Sequence, residues 1–178
     1  MDSERPSRPT FISFLLAQVG SHASKQFAKR LFSLGLAPPH AGILRRLAQS
    51  SGLSQRELAT QLGMHASRLV AVVDELESLG LVVREGNADD RRSYSLRLTA
   101  KGAEVMGEVG KISKQHNEEI CAALNPEERE TLSSLLQRIA DQQGLIRGVH
   151  PGYAALGRRA ASSREDDDIK AKQPVDPD

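Results

Sequence analysis

Residues 82–102, VVREGNADDRRSYSLRLTAKG, decide the fold of this chain. Two short β-favouring runs flank a charged loop. Residues 81–83 are apolar, and after the loop Tyr94, Leu96 and Leu98 alternate with polar residues, which predicts one buried face on each strand. Glycine, asparagine and aspartate between the runs supply turn chemistry. The stretch therefore predicts a β-hairpin with a charged tip.

Two adjacent arginines, Arg91 and Arg92, follow Asp90 where this hairpin projects furthest. A guanidinium group suits the narrow minor groove of DNA, because negative potential is concentrated there and a planar, weakly hydrated cation enters at low desolvation cost. The alternative is a solvated turn in which both arginines pair with Asp89 and Asp90. The preceding sequence favours the DNA interpretation.

That preceding sequence begins with a helix start at residues 53–58, LSQREL. Ser54 can cap the helix, Glu57 completes a capping box, and the leucines at both ends of the stretch form a hydrophobic staple. Gly63 allows the left-handed backbone conformation that ends a helix. A short helix and a glycine turn are therefore predicted.

A second amphipathic pattern follows, from residue 64 or 65 to Leu79, with Gly80 as its end. Two helices joined by a glycine turn form a helix-turn-helix, whose second helix reads DNA. Small residues at its start would let the backbone approach the groove, and serine and arginine can donate to bases or phosphates. The expected DNA contacts are Ser54, His65, Ala66, Ser67, Arg68 and Val70.

Residues 90–102, DRRSYSLRLTAKG, are similar to the wing signature of the MarR (multiple antibiotic resistance regulator) family, D-x-R-x-x-x-φ-x-L-T-x-x-G, where φ is apolar. The resemblance spans roughly residues 10–144, including LAPP at 36–39 and DELE at 74–77. It implies a mainly α fold with a small β-hairpin wing, in a homodimeric transcriptional repressor that binds a pseudo-palindromic operator. Release by a small anionic or phenolic ligand is often part of that pattern. By this comparison Arg92 enters the minor groove, and Asp90 orients neighbouring basic side chains.

The chain departs from the family in the second helix, where Ala71 and Glu75 occupy positions at which arginines are frequent. Glu75 would repel phosphate if it faced the DNA backbone. The departure leaves an alternative open, which is a winged-helix protein-interaction module without specific DNA binding.

Long helical patterns flank the winged helix on both sides. Thr99 can cap the helix after the wing, and Asn125 can cap the last one, which is expected to bury Leu132, Leu135, Leu136 and Ile139. So small a module cannot cover this much apolar surface alone, so a second copy is expected to pair with it and set two recognition helices roughly 34 Å apart. The predicted division is a flexible N-terminus (1–9), dimerisation helices (10–35 and 100–145), a winged helix-turn-helix (36–99) and a disordered tail (146–178).

Composition narrows the remaining possibilities. A net charge of +1 over 178 residues means that charge for DNA must be local, and 3% aromatic content without tryptophan argues against single-stranded nucleic acid. No apolar run approaches the ~18 residues of a membrane span and nothing resembles a signal peptide, which predicts a cytoplasmic protein without a membrane partner. No nucleophile-base pair or phosphate-binding glycine loop indicates an enzyme, and no cofactor is expected.

The histidines and the single cysteine indicate no metal site. The histidines lack ligand spacing, and Cys121 is expected to be a core or interface residue. The family resemblance places an effector pocket where the dimerisation helices meet the winged helix. The candidates to contact a small aromatic or phenolic effector there are Phe14, Gln18, His22 and His40.

Overall fold

A computed structural model of the chain describes residues 11–86 and 94–155. Its elements, in chain order, are α1 (Ile12–Phe32), α2 (Pro38–Gln49), β1 (Leu53–Ser54), α3 (Gln55–Gln61), α4 (Ala66–Ser78), β2 (Val82–Gly86), β3 (Tyr94–Leu98), α5 (Ala100–Ile120), α6 (Pro126–Gln142) and α7 (Gly152–Ala155). The architecture is a winged helix between long flanking helices, and the predicted fold class is confirmed.

The core lies where α2, α3 and α4 pack against the sheet. Leu44 of α2, Leu58 of α3, Leu69 and Val72 of α4 and Leu96 of β3 are all fully buried. The structure agrees with the predicted helix-turn-helix. Ser54 and Glu57 form the capping box of α3, and Gly63, with φ at +59°, makes the turn into α4.

The wing strands pair antiparallel, from Val82 opposite Leu98 to Gly86 opposite Tyr94. A third strand, β1, pairs with the other edge of β3, so the order in the sheet is β1-β3-β2. The sequence did not predict β1, because two residues are too few for an alternation pattern. On the first run Leu81 and Val82 are buried as predicted, whereas on β3 only Leu96 is buried, since Leu98 is half-buried and Tyr94 is 57% exposed at the outer end of the hairpin.

The junction between the wing and α5 explains two residues of the sequence signature. The Thr99 hydroxyl caps α5 by accepting from the Gly102 amide at 2.9 Å, and it donates to the Gly80 carbonyl at 2.7 Å. Gly102 has no side chain because a Cβ there would lie 2.0 Å from the Leu81 carbonyl oxygen. The start of α5 is therefore packed directly on the backbone between α4 and β2.

The two ends of this unit leave apolar side chains uncovered. Only Leu31 is buried on α1, and no residue of α6 is buried. The sequence pattern predicted that the α6 leucines are buried, which is not the case within one chain. Their exposed fractions range from 38% at Leu136 to 47% at Leu135, and Phe14 of α1 is 65% exposed. These helices carry apolar faces that their own winged helix does not cover.

Ordered packing continues beyond the predicted start of the tail at residue 146. The chain turns back after Gly144, where φ is +66°, and Tyr153 is buried at 9% exposure. The Tyr153 hydroxyl donates to the Pro38 carbonyl at 3.0 Å. The tail boundary therefore moves past residue 153, since glycine and proline in this stretch form turns of a packed segment.

Candidate nucleic-acid interface

The start of α4 presents an open polar face. Its inner face consists of Leu69, Val72, Val73 and Leu76, all buried. On the other side His65, Ala66 and Ser67 are exposed, and Val70 is 39% exposed. His65 occupies the N-cap position without a side-chain cap, so the amides of the first turn keep their hydrogen-bonding capacity for an anion.

Arg68 lies on the shoulder of this face. Its side chain is half-buried, and its Nε atom is buried without a hydrogen-bond partner among the described residues. A buried donor without a partner is unusual in a folded protein. The Arg68 side chain thus lies half-buried beside the exposed first turn, with its Nε shielded from solvent.

Ser54 is placed differently from the rest of the predicted set. Its hydroxyl donates to the Glu57 carboxylate at 2.8 Å and accepts from the Glu57 amide at 3.2 Å. The Ser54 backbone and hydroxyl donors hold the pKa of Glu57 below its usual value. The hydroxyl is therefore engaged in capping α3.

Arg84 of β2 ties the root of the wing to α4. Its guanidinium group binds the carboxylates of Asp74 and Glu77, and the side-chain oxygen of Gln55, in the orientation that satisfies both of its polar atoms, accepts from Arg84 Nη2 at 3.0 Å. Burial alone would lower the pKa of Arg84, but the two carboxylates outweigh burial and raise it. This cluster, the Arg84 clamp, joins β2, α3 and α4.

A second contact connects α4 to α2. His40 Nε2 lies 2.8 Å from a carboxylate oxygen of Glu75. Because His40 Nδ1 accepts from the Ala37 amide at 3.1 Å, a neutral ring carries its proton on Nε2 and donates it to Glu75. Glu75 therefore has a structural partner in His40. This contact gives a structural reason for the acidic residue that, in the sequence, favoured an interaction module without DNA binding.

The basic residues of the wing divide into two groups. Arg97 pairs with Glu85 at 2.8 Å, and Lys101 Nζ donates to the Leu79 carbonyl at 2.9 Å at the end of α4. With Arg84, three of the five basic side chains between residues 84 and 101 have protein partners. The other two, Arg91 and Arg92, lie outside the described residues together with Asp90.

The predicted effector residues do not come together. Phe14, Gln18 and His22 are exposed on α1, whereas His40 is buried between α2 and α4. None of these four is among the described residues that line a cavity of about 450 Å³. The assignment of these four residues to an effector pocket stays a prediction, and this cavity is lined by other residues.

That cavity lies between α1, α2, α5 and the returning segment after α6. Phe27, Met106 and Val109 supply apolar surface, and Arg45 is the charged side chain of the lining. Among the described residues Arg45 forms no salt bridge. The cavity therefore combines an apolar body with one available cation.

Other site types find little support in the part of the chain that the structure describes. Within residues 11–86 and 94–155, no group of three or more histidine, cysteine, aspartate or glutamate side chains could hold a metal ion. Cys121 is a half-buried free thiol at the end of α5. None of the described helices contains an apolar stretch of the length that a membrane span requires.

Comparisons with known proteins agree with this geometry. The MarR family model matches residues 34–93, which include α2 to β2. The chain is 35% identical over 121 residues to a putative transcriptional regulatory protein for the hcr operon of Thauera aromatica, covering 67% of this chain and 73% of that protein. It is similar to the transcriptional repressor CouR bound to a 23-mer DNA duplex, with 30% identity, a TM-score of 0.67, and 73% and 92% of the two chains covered. Wild-type MarR of E. coli in its apo form shares the fold at 21% identity, with a TM-score of 0.65 over 74% of this chain and 98% of that one.

Proposed function

The chain belongs to the MarR family of transcriptional regulators, and we propose that it is a homodimeric repressor that binds a pseudo-palindromic operator and releases it when a small anionic or phenolic ligand binds. The observation that carries DNA binding is the two-sided character of α4. One side is fully buried in the winged helix, and the opposite side at its start is open.

Each candidate residue has a role that fits its chemistry. The small side chains of Ala66 and Ser67 let the helix backbone approach the groove, and exposed Val70 suits the methyl group of thymine. The half-buried guanidinium group of Arg68 lies beside this turn and suits a base or a phosphate. His65 stands beside them at the helix start.

The other proposed contacts lie to either side of α4. Ser54 contributes through the start of α3, near the backbone of the duplex. On the wing, Arg91 and Arg92 would occupy the minor groove, with Asp90 orienting them.

The dimer is supported by the uncovered apolar faces of α1 and α6. Val19 is 53% exposed and Leu135 is 47% exposed, and neither helix buries more than one residue within the chain. Apolar side chains exposed along a helix in this number are typical of an interface. A two-fold axis through these helices would place two copies of α4 on one face of a duplex.

Ligand release is supported by the position of the cavity. It lies between α1 and α5, which would carry the dimer contacts, and α2 of the winged helix. A ligand that binds more tightly to one arrangement of these helices favours that arrangement, and it thereby changes the distance between the two copies of α4 in the dimer. Arg45 suits an anionic group and the apolar lining suits an aromatic ring.

Selection of binding sites from random duplex DNA by the full chain tests the proposal. Enrichment of one palindrome is expected. Arg68→Ala should change the preference among bases, while Arg92→Ala should weaken binding to all sequences by a similar factor. Lys111→Ala, which removes one positive charge from α5, is the matched control and should behave like the parent. Recovery of no common sequence contradicts the proposed function.

Repression and release can be measured on the same palindrome. Placed across a promoter in a purified transcription reaction, it should reduce transcript when the protein is added. Salicylate, an aromatic acid with a phenolic hydroxyl, is the first probe for recovery. Increased transcript on addition of the protein contradicts repression.

A further inference from the structure

Tyr153 is a buried anchor for the segment that returns after α6. Its ring lies directly on Gly42 of α2, where an added Cβ would be 2.6 Å from the Tyr153 hydroxyl oxygen and 2.9 Å from two ring carbons. The hydroxyl donates to the Pro38 carbonyl at 3.0 Å. Burial also raises the pKa of Tyr153, so this donor keeps its proton at neutral pH. The missing side chain at Gly42 is what allows this tyrosine to dock.

His150 makes a second attachment of the same segment. Its Nδ1 accepts from the Gly152 amide at 3.0 Å, so a neutral ring carries its proton on Nε2. Nε2 lies 3.4 Å from the Ser24 hydroxyl oxygen of α1. The segment thus spans from α2 to α1, which are two of the elements that enclose the cavity.

Residues 148–153, here called the strap, form one wall of the cavity. Gly148, Val149, His150, Pro151 and Tyr153 line the cavity together with Phe27 of α1 and Val109 of α5. The strap is held by one buried aromatic ring, a half-buried valine and a few hydrogen bonds. Segments with so few buried contacts open at much lower free energy than the core unfolds.

Arg45 of α2 lies beside Gly148, the first residue of the strap. A Cβ on Gly148 would lie 3.3 Å from Arg45 Nη2, so the guanidinium group lies against the strap backbone as well as on the cavity. An apolar molecule with one negative group would match this lining, with its anion on Arg45 and its body between Phe27 and Val109.

We propose that the strap is a movable wall of this cavity, with Tyr153 as its latch, and that an apolar anion binds fully only when the latch leaves Gly42 and frees the space beside it. The inference rests on the proposed effector response and adds the element that controls entry. Ligand and latch then compete, and the apparent affinity equals the intrinsic affinity scaled by the fraction of open strap. Tyr153 and Gly42 thereby help to decide which molecules the cavity admits.

The experiment uses 8-anilinonaphthalene-1-sulfonate, an aromatic monoanion that fluoresces in apolar sites, with the full-length chain. Gly42→Ala pushes the tyrosine off α2, and Tyr153→Phe removes the hydroxyl bond while keeping the ring. Gly20→Ala is the matched control, because a Cβ there meets nothing within 4 Å. Both latch variants should bind the probe faster and about 2- to 10-fold tighter, the upper limit corresponding to loss of one hydrogen bond. The control should match the parent.

A further variant locates the probe. Arg45→Gln should weaken its binding several-fold, because the sulfonate loses its cationic partner. If the parent and the latch variants bind the probe with equal rates and affinities, the proposed role of the strap is refuted. Weaker binding with an unchanged association rate also overturns it, because Tyr153 would then be a fixed wall. An unchanged affinity in Arg45→Gln overturns the choice of an anion. Operator binding is measured in a separate experiment. If the latch variants bind the probe as expected but the chain selects no DNA sequence, the proposed function is contradicted and the inference about the strap is not.

Discussion

Replacement of Gly102 by alanine should destabilise the chain although it places a better helix former inside α5. The new Cβ would lie 2.0 Å from the Leu81 carbonyl oxygen and 2.9 Å from its carbon. Ordinary carbon-oxygen contacts begin near ~3.3 Å, so the backbones must separate by roughly 1 Å. Overpacking of this kind costs about 1–3 kcal/mol. The separation also lengthens the hydrogen bond from the Thr99 amide to the Leu81 carbonyl, which is 3.1 Å in the parent, and weakening that bond costs about 1 kcal/mol more.

Alanine returns about 1 kcal/mol through helix propensity, so the net loss should be about 2 kcal/mol. For a chain of this size that corresponds to a fall in Tm of about 4–8 °C. Gly107→Ala in the same helix is the control, because its Cβ meets nothing within 4 Å and should raise Tm slightly. Thermal unfolding of both variants and the parent at one protein concentration measures the difference. Equal shifts for the two variants would refute the packing argument.

Three other substitutions test separate parts of the structure. Arg84→Gln leaves the carboxylates of Asp74 and Glu77 on α4 without their cation, so they should repel the DNA backbone. Operator affinity should therefore fall at 50 mM salt and approach that of the parent at 200 mM, because salt screens exposed charge. A loss of affinity that does not depend on salt would argue against this repulsion. Leu136→Glu puts a charge on the uncovered α6 face and should give monomers by light scattering; an intact dimer would exclude that face from the interface. Arg92→Ala should make the slope of log affinity against log salt shallower by about 1 to 2 per dimer in anisotropy titrations, whereas an unchanged slope would mean that Arg92 does not neutralise phosphate.

Elements with local determinants could be predicted from the sequence. The cap at Thr99 and the capping boxes at Ser54 and Asn125 involve partners three residues apart, so residue order alone contains them. The glycine turn at Gly63 and the antiparallel wing follow from equally short patterns. This locality is why the helix-turn-helix and the wing were recognisable from the sequence.

The ion pairs of α4 could not be predicted in the same way. His40 and Glu75 are 35 residues apart, and they meet only because α2 and α4 pack together. Charged residues on an amphipathic helix normally indicate its solvated face, so Glu75 was interpreted by its charge alone. For the Arg84 clamp a weak signal existed, since Glu77 and Arg84 flank the sharp turn at Gly80 that folds β2 back along the helix.

The returning segment was missed because glycine and proline dominate its composition. Such a stretch resembles a linker, and a single buried tyrosine leaves no periodic pattern. Gly42 was the available signal, because an isolated glycine inside a helix often marks a close approach by another part of the chain. At Gly42 the approaching group is the Tyr153 ring.

We propose that two copies of α4, held by one dimer, read one duplex about a helical turn apart. Insertion of five base pairs between the half-sites of the selected palindrome tests it most directly, because the insertion rotates one half-site by about half a turn and moves it roughly 17 Å away. Binding should fall to the level of unrelated DNA, and insertion of a full turn should leave it equally weak, since the helices cannot follow. Undiminished affinity for the five-base-pair insertion would contradict the account.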